Sequence, residues 1–136
     1  MADDVRKVDY YKATIADKPG EGARVLTALA EAGVNLLAVT GFPRGRKAQF
    51  DFIPEDAATF KTAARRARLT VTRKTAFLIQ GDDRAGVLAE IASRLGMAGV
   101  NITAVDAVAA GAARYGAILW VKPADVRKAA RALGVA

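Results

Sequence analysis

The sequence predicts an α+β protein of two tandem βαββαβ units, each an antiparallel sheet with its helices on one face. Three observations carry this. Asp17-Lys18-Pro19-Gly20 returns further along the chain as Asp83-Arg84-Ala85-Gly86. Gly33-Val34-Asn35-Leu36 returns as Gly99-Val100-Asn101-Ile102 at the same offset. Around these blocks the hydrophobic period switches between 2 and 3.6 in the same order in both copies. Two separated blocks at one offset mean two copies of one supersecondary unit, so a site built from the unit is expected twice. The boundary falls near residues 72–74 with almost no linker, giving residues 1–73 and 74–136 as domains. Units this small are marginal alone, so each is expected to pack on a neighbour.

Residues 8–15 open the first copy. Tyr11, Ala13 and Ile15 alternate with Tyr10, Lys12 and Thr14, the period of a half-buried strand. Residues 75–80 repeat it, with Phe77 and Ile79 falling on Tyr11 and Ala13. A turn follows in each copy, and Pro19 suits the first turn of a helix, where its missing N–H costs little. Val25, Leu26, Leu29 and Ala30 recur at helical spacing, as do Leu88, Ile91, Ala92, Leu95 and Ala98. Gly33 and Gly99 stop these helices as C-terminal glycines do. Residues 35–40 and 101–108 read as strands, with hairpin segments at 41–47 and 109–113. The next strands, 48–53 and 114–121, end at Pro54 and Pro123. Helices follow over 56–68, with Phe60, Ala63, Ala64 and Ala67 on one face, and over 124–133, with Val126, Ala129, Ala130 and Leu133. Copy one closes with a short strand at 69–72. In copy two the last strand is shortened or lacking, since only 133–135 remain for it. This order is that of the ferredoxin-like split βαβ unit.

Strand 115–121 is apolar on both faces, although a sheet with helices on one side is expected to be polar on the other. Ile118 and Trp120 therefore call for a cover, and a homodimer is the expected one.

Composition excludes several classes. There is no cysteine and no histidine, which removes disulfides, thiolate chemistry, the commonest general base and the commonest transition-metal ligand. No apolar run reaches the roughly 18 residues of a membrane span. Met1-Ala2-Asp3-Asp4 is acidic and lacks the apolar core of a secretory signal. A cytoplasmic protein with no membrane partner is expected. No Ser-His-Asp set, Walker loop or metal-ligand cluster is present, so no catalytic residue, metal or cofactor is assigned and the chain is not read as an enzyme. The net charge is +7, and residues 1–74 hold 14 of the 21 Lys and Arg. That permits a polyanion partner and equally suits a solvated surface.

Three groups of residues are candidates for binding. In the repeated loop an acid and a base precede a glycine that opens a helix. The glycine permits φ > 0, and the helix N-terminus presents unsatisfied N–H groups suited to an anion. Asp17 and Asp83 either cap that helix or accept from an ammonium group. Asn35 and Asn101 either satisfy turn backbone or use their paired donor and acceptor on a ligand. The third group is Arg44-Gly45-Arg46-Lys47 followed by Phe50 and Phe52. The element order is also that of the RNA-recognition motif, which carries a basic-Gly-aromatic signature on its third strand. Against that reading, Asp51 puts a negative charge in the strand, and core packing accounts for both rings. The alternative function is thus an RNA-binding or protein-interaction module using the basic first half; nucleic acid is the less expected partner.

The repeated loop and the Gly-Val-Asn blocks, taken with the order of elements, resemble the ACT domain, a small regulatory amino-acid-binding module. The resemblance covers residues 8 to about 134 as two tandem copies. It implies no catalysis, a small-molecule ligand such as an amino acid or related metabolite, and a separate regulated enzyme or regulator as partner. By the resemblance the ligand-binding residues are Asp17, Gly20 and Asn35 in copy one, and Asp83, Arg84, Gly86 and Asn101 in copy two. Copy two is the better match, because Gly86-Val87-Leu88 keeps the pattern that Gly20-Glu21-Gly22 breaks.

Overall fold

A computed structural model describes residues 3–135; Met1, Ala2 and Ala136 lie outside the described residues. The chain folds as two compact units. One is residues 9–74. The other is residues 75–135 joined by residues 3–8. Both are antiparallel sheets with two helices on one face, the ferredoxin-like architecture expected.

The first unit takes most of β1 (Asp4–Ala16), then α1 (Glu21–Glu31), β2 (Leu36–Arg44), β3 (Lys47–Pro54), α2 (Ala57–Arg66) and the start of β4 (Val71–Asp82). Its strands run in the order β2-β3-β1. Tyr11 pairs with Phe52, and Val39 with Phe52 from the other side. Tyr11, Ala13, Ile15 and Phe52 point to one face and meet Val25 and Leu29 of α1 with Phe60, Ala63 and Ala64 of α2. Both helices therefore cover the same face. Phe60 stacks tilted against Tyr11 at 4.8 Å and against Phe52 at 5.5 Å between ring centroids.

The second unit repeats this with the rest of β4, then α3 (Val87–Met97), β5 (Ile102–Gly111), β6 (Arg114–Val121), a 3₁₀ turn at Pro123–Asp125 and α4 (Val126–Ala132). The order is β4-β6-β5. Its core joins Phe77, Ile79, Tyr115, Ala117, Leu119 and Val121 to Val87, Ile91, Leu95, Ala129, Ala130 and Leu133. No strand follows α4 among the described residues. Instead residues 3–8 belong to this unit, and Val5 packs on its core. Val71, the counterpart of Val5 in the repeat, packs on the core of the first unit in the same way. The repeat thus extends to the leading segment, which carries the strand position that copy two lacks after α4.

Several local expectations shift. The hairpins are tighter than the sequence suggested. β2 runs to Arg44 and β5 to Gly111, leaving Gly45-Arg46 and Ala112-Ala113 as the turns. Ala112 and Ala113 sit at φ 52° and 59°, the left-handed region that a type I′ hairpin turn requires at both positions. The buried stripe of α3 is Val87, Ile91 and Leu95, while Leu88 is 40% exposed and Leu26 of α1 38%. The cover expected over Ile118 and Trp120 needs no second chain. Both are buried within the single chain, at 6% and 7% exposure. They therefore give no reason for a dimer.

Candidate functional site

The two repeated loops have one geometry. In the first, the Glu21 N–H donates to Lys18 O at 3.3 Å, and Gly20 sits at φ 87°, ψ −15°. In the second, the Val87 N–H donates to Arg84 O at 3.4 Å, and Gly86 sits at φ 86°, ψ 1°. These values match the third residue of a type II turn, where φ > 0 favours glycine and proline is common one position earlier. That is the reason for Pro19-Gly20. Pro19 belongs to the turn ahead of α1 rather than to its first helical turn.

Neither α1 nor α3 has a side-chain cap; each starts at its left-handed glycine. Asp17 and Asp83 are therefore not helix caps, and both lie exposed. By contrast α2 has a true cap, with the Ala58 N–H donating to Asp56 Oδ1 at 3.0 Å. Of the two readings of the loop acids, capping is the one that fails.

The surroundings of the loops differ. In the first, Glu21 pairs with Arg24. In the second, Arg84 donates to Glu90 Oε1 at 2.9 Å, Arg114 to Asp82 Oδ1 at 2.8 Å, and the Asp83 N–H to Ala113 O at 2.9 Å. The bond from Arg84 holds the Glu90 carboxyl below its usual range, and Glu90 in turn raises Arg84.

The asparagines differ too. Asn35 Nδ2 donates to Glu55 Oε2 at 2.7 Å, and the Glu55 N–H returns a bond to Asn35 O at 2.9 Å. The Asn35 side chain is thus engaged by a carboxylate, while its backbone carbonyl closes the turn. Lys122 follows β6 where Glu55 follows β3, and a lysine cannot accept a hydrogen bond. Asn101 is exposed.

Asp83, Arg84 and Gly86 share one loop, but Asn101 stands beyond the other end of α3. Eleven residues of helix lie between, about 16 Å at 1.5 Å each. One amino acid cannot touch both within a single unit.

Sequence reasoning missed a cluster beside the second loop. Tyr115, 5% exposed, donates its hydroxyl to Asp3 Oδ1 at 2.9 Å. Burial, then the Asp3 bond, pushes the Tyr115 phenol well above its ordinary value. A Cβ on Gly81 would collide with Asp3 Oδ1 and lie 3.0 Å from Tyr115 Cε1. A glycine inside a strand was the available signal, since it marks a close approach.

The aromatic strand of the RNA reading is core. Phe52 is fully buried, and Phe50 packs against the same cluster with its ring 5.5 Å from Phe52. No ring is left there for base stacking. An open groove of about 310 Å³ lies between α1 and α2, lined by Ala32, Ala58, Thr59, Thr62, Ala63 and Arg66. It includes none of the loop residues. Among the described residues no cluster of three or more His, Cys, Asp or Glu could hold a metal, and no helix is long and apolar enough to cross a membrane.

No family model and no curated protein matches the chain. Solved structures do. Protein BT0572 from Bacteroides thetaiotaomicron superposes with a TM-score of 0.83 at 18% identity, over 96% of this chain and 88% of that one. The ligand-free regulatory subunit of aspartate kinase from Thermus thermophilus gives 0.65 at 20% identity, over 98% and 95%. The corresponding subunit from Thermus flavus gives 0.59 at 19%, again over 98% and 95%. The shared fold is the tandem ferredoxin-like βαββαβ fold that the repeated motif predicted.

Proposed function

We propose that this chain is a non-catalytic regulatory protein of the cytoplasm. It binds a small amino acid or related metabolite at the Asp83–Gly86 loop and passes the signal to a separate enzyme or regulator. The observation that carries the reading is the uncapped type II turn: its acid is exposed, and no side chain caps the helix that follows. The ligand's carboxylate would face the N-terminus of α3 beyond Gly86, and its ammonium would face Asp83. Arg84 adds a cation already partly matched by Glu90. The likeness to regulatory subunits of aspartate kinase supports a regulatory role for the fold.

The length of α3 adds a condition. If Asn101 also touches the ligand, it comes from a second copy, so a ligand-competent form is a homodimer. The first loop, Asp17 to Gly20, binds more weakly or not at all, because its Asn35 is held by Glu55.

A thermal-shift screen of the full chain against the twenty amino acids tests the reading. A ligand at 100 times its dissociation constant adds about 2.7 kcal/mol to the native state. Asp83→Ala and Asn101→Ala are expected to weaken a confirmed ligand by about ten- to a hundredfold, and Asp17→Ala and Asn35→Ala by less. Undiminished binding in both second-copy variants rejects the site. Sedimentation with and without that ligand tests the dimer. RNA binding that falls steeply with salt would return the alternative to the front.

A further inference from the structure

We propose that residues 3–8 are a strap latched beside the Asp83–Gly86 loop by the Asp3 carboxylate on the Tyr115 phenol, and that its release is the step by which this loop opens. Its regulatory meaning rests on reading that loop as the ligand site; the opening itself does not.

Residues 4–8 lie in β1, hydrogen-bonded beside β4, and the Asp3 latch is a side-chain contact at the end of that strand. Asp4, Arg6 and Lys7 are exposed, and of the strap's apolar side chains Val5 is the one packed against the core. Segments with few buried apolar contacts open locally at low cost. Asp3 Oδ1 is well placed, accepting from Tyr115 at 2.9 Å over the bare backbone of Gly81. Asp3 Oδ2 is buried with no hydrogen-bond partner. A carboxylate oxygen withdrawn from water and left unbonded opposes the closed state. The latch is therefore half satisfied.

The first unit shows that the fold does not need this device. Leu69, which stands in the repeat where Asp3 does, lies buried in its unit's core. Ala48 pairs with Ile15 as Tyr115 pairs with Gly81. It packs partly buried against that core and carries no hydroxyl. There the strand is closed by apolar burial. In the second unit a phenol-to-carboxylate hydrogen bond is added, lying over Gly81 two residues ahead of Asp83. Opening would uncover Gly81 and free the backbone that leads into Asp83.

Hydrogen exchange on the full chain, without ligand, decides it. Asp3→Ala and Tyr115→Phe are expected to speed exchange of amides 4–8 about tenfold or more, with a parallel rise at 82–86 and none at 117–121. Asp3→Asn keeps an acceptor for the phenol and loses the charge, so its effect falls between. If Tyr115→Phe fails to fold, the two Asp3 variants carry the test. Wild-type exchange at 4–8 in the Asp3→Ala chain overturns the strap. So does a rise at 4–8 matched at 117–121, which is global opening. A rise at 4–8 with none at 82–86 overturns the link to the loop. A failed amino-acid screen changes none of these outcomes, so the two readings fail separately.

Discussion

The two units share element order and differ in what fills equivalent positions. Tyr11 pairs with Phe52 and Phe77 with Leu119. Phe77 is the repeat partner of Tyr11. At the same offset Phe52 would fall on Ile118, yet Leu119 takes its place, so the second hairpin carries an insertion. In that register Gly41 faces Phe50 in the first unit, while Ala107 faces Ala117 in the second. Side-chain volume is redistributed across the pair rather than conserved at each position. Gln49 and Asp51 of β3 are buried on the sheet face away from the helices, where β6 places Gly116 and Ile118. Interiors are packed closely enough that a change on one strand demands a matching one on its neighbour. The repeat is therefore one of topology and turns, and each core is solved separately.

The largest test of that separateness is in the helices. Phe60 of α2 and Val126 of α4 open equivalent buried stripes, one fully buried among rings and one half-buried. Phe60→Ala is expected to cost about 3–5 kcal/mol and Val126→Ala about 1 kcal/mol, measured by urea denaturation. Equal costs would break the comparison.

A smaller effect is expected at the cross-strand pairs. A Cβ at Gly41 would collide with the Phe50 ring at Cε1. Gly41→Ala should cost about 1–3 kcal/mol by forcing that ring aside. Ala107→Gly has no ring opposite and should cost about 0.5–1 kcal/mol, the ordinary penalty for a strand glycine. Gly41→Ala combined with Phe50→Ala, which copies the second unit's pair, should cost less than the sum of its parts.

Asp51 sharpens the contrast through pH. Burial pushes its carboxyl above the ordinary 3.8, although a bond from Gln49 and the charges of Lys12, Lys74 and Arg44 oppose the shift. A raised folded value means the folded state favours the protonated form. The group therefore opposes folding above its folded pKa, and that opposition fades as pH falls through it. Asp51→Asn should be more stable than wild type at neutral pH, with the difference shrinking on acidification in thermal melts. A gap that widens as pH falls would reverse the sign and sink this account.

The smallest effect lies in the second loop. Glu90 is held below 4.5 by Arg84, so its contribution is present above the unfolded value and lost as pH falls through the folded one. The pair is exposed, and exposed pairs contribute little. Arg84→Gln should leave the melting temperature almost unchanged while the Glu90 carboxyl, followed by NMR titration, returns to its ordinary range.

The backbone of the candidate loop was legible in the chain because turns are local. Asp-Lys-Pro-Gly specifies a type II turn through one residue's need for φ > 0, and the structure has that turn in both copies. What the loop acids do was not legible. Asp is a good cap in general, and only the backbone path shows that the helix begins at the glycine, with the acid outside it. Asp83 and Asn101 belong to one motif, yet a rigid helix holds them at opposite ends. Asp3 and Tyr115 are 112 residues apart in sequence, and no periodicity connects them.

The sequence by itself determined the duplication, the order of strands and helices, the turn glycines and most of the helix faces. Each of these is set by contacts within a few residues. Tertiary structure alone decided that residues 3–8 join the second unit, that Ile118 and Trp120 are covered within one chain, and that Asp3 meets Tyr115. Those outcomes depend on which distant segments reach each other's surfaces, and the local pattern of a strand is the same whichever sheet it joins.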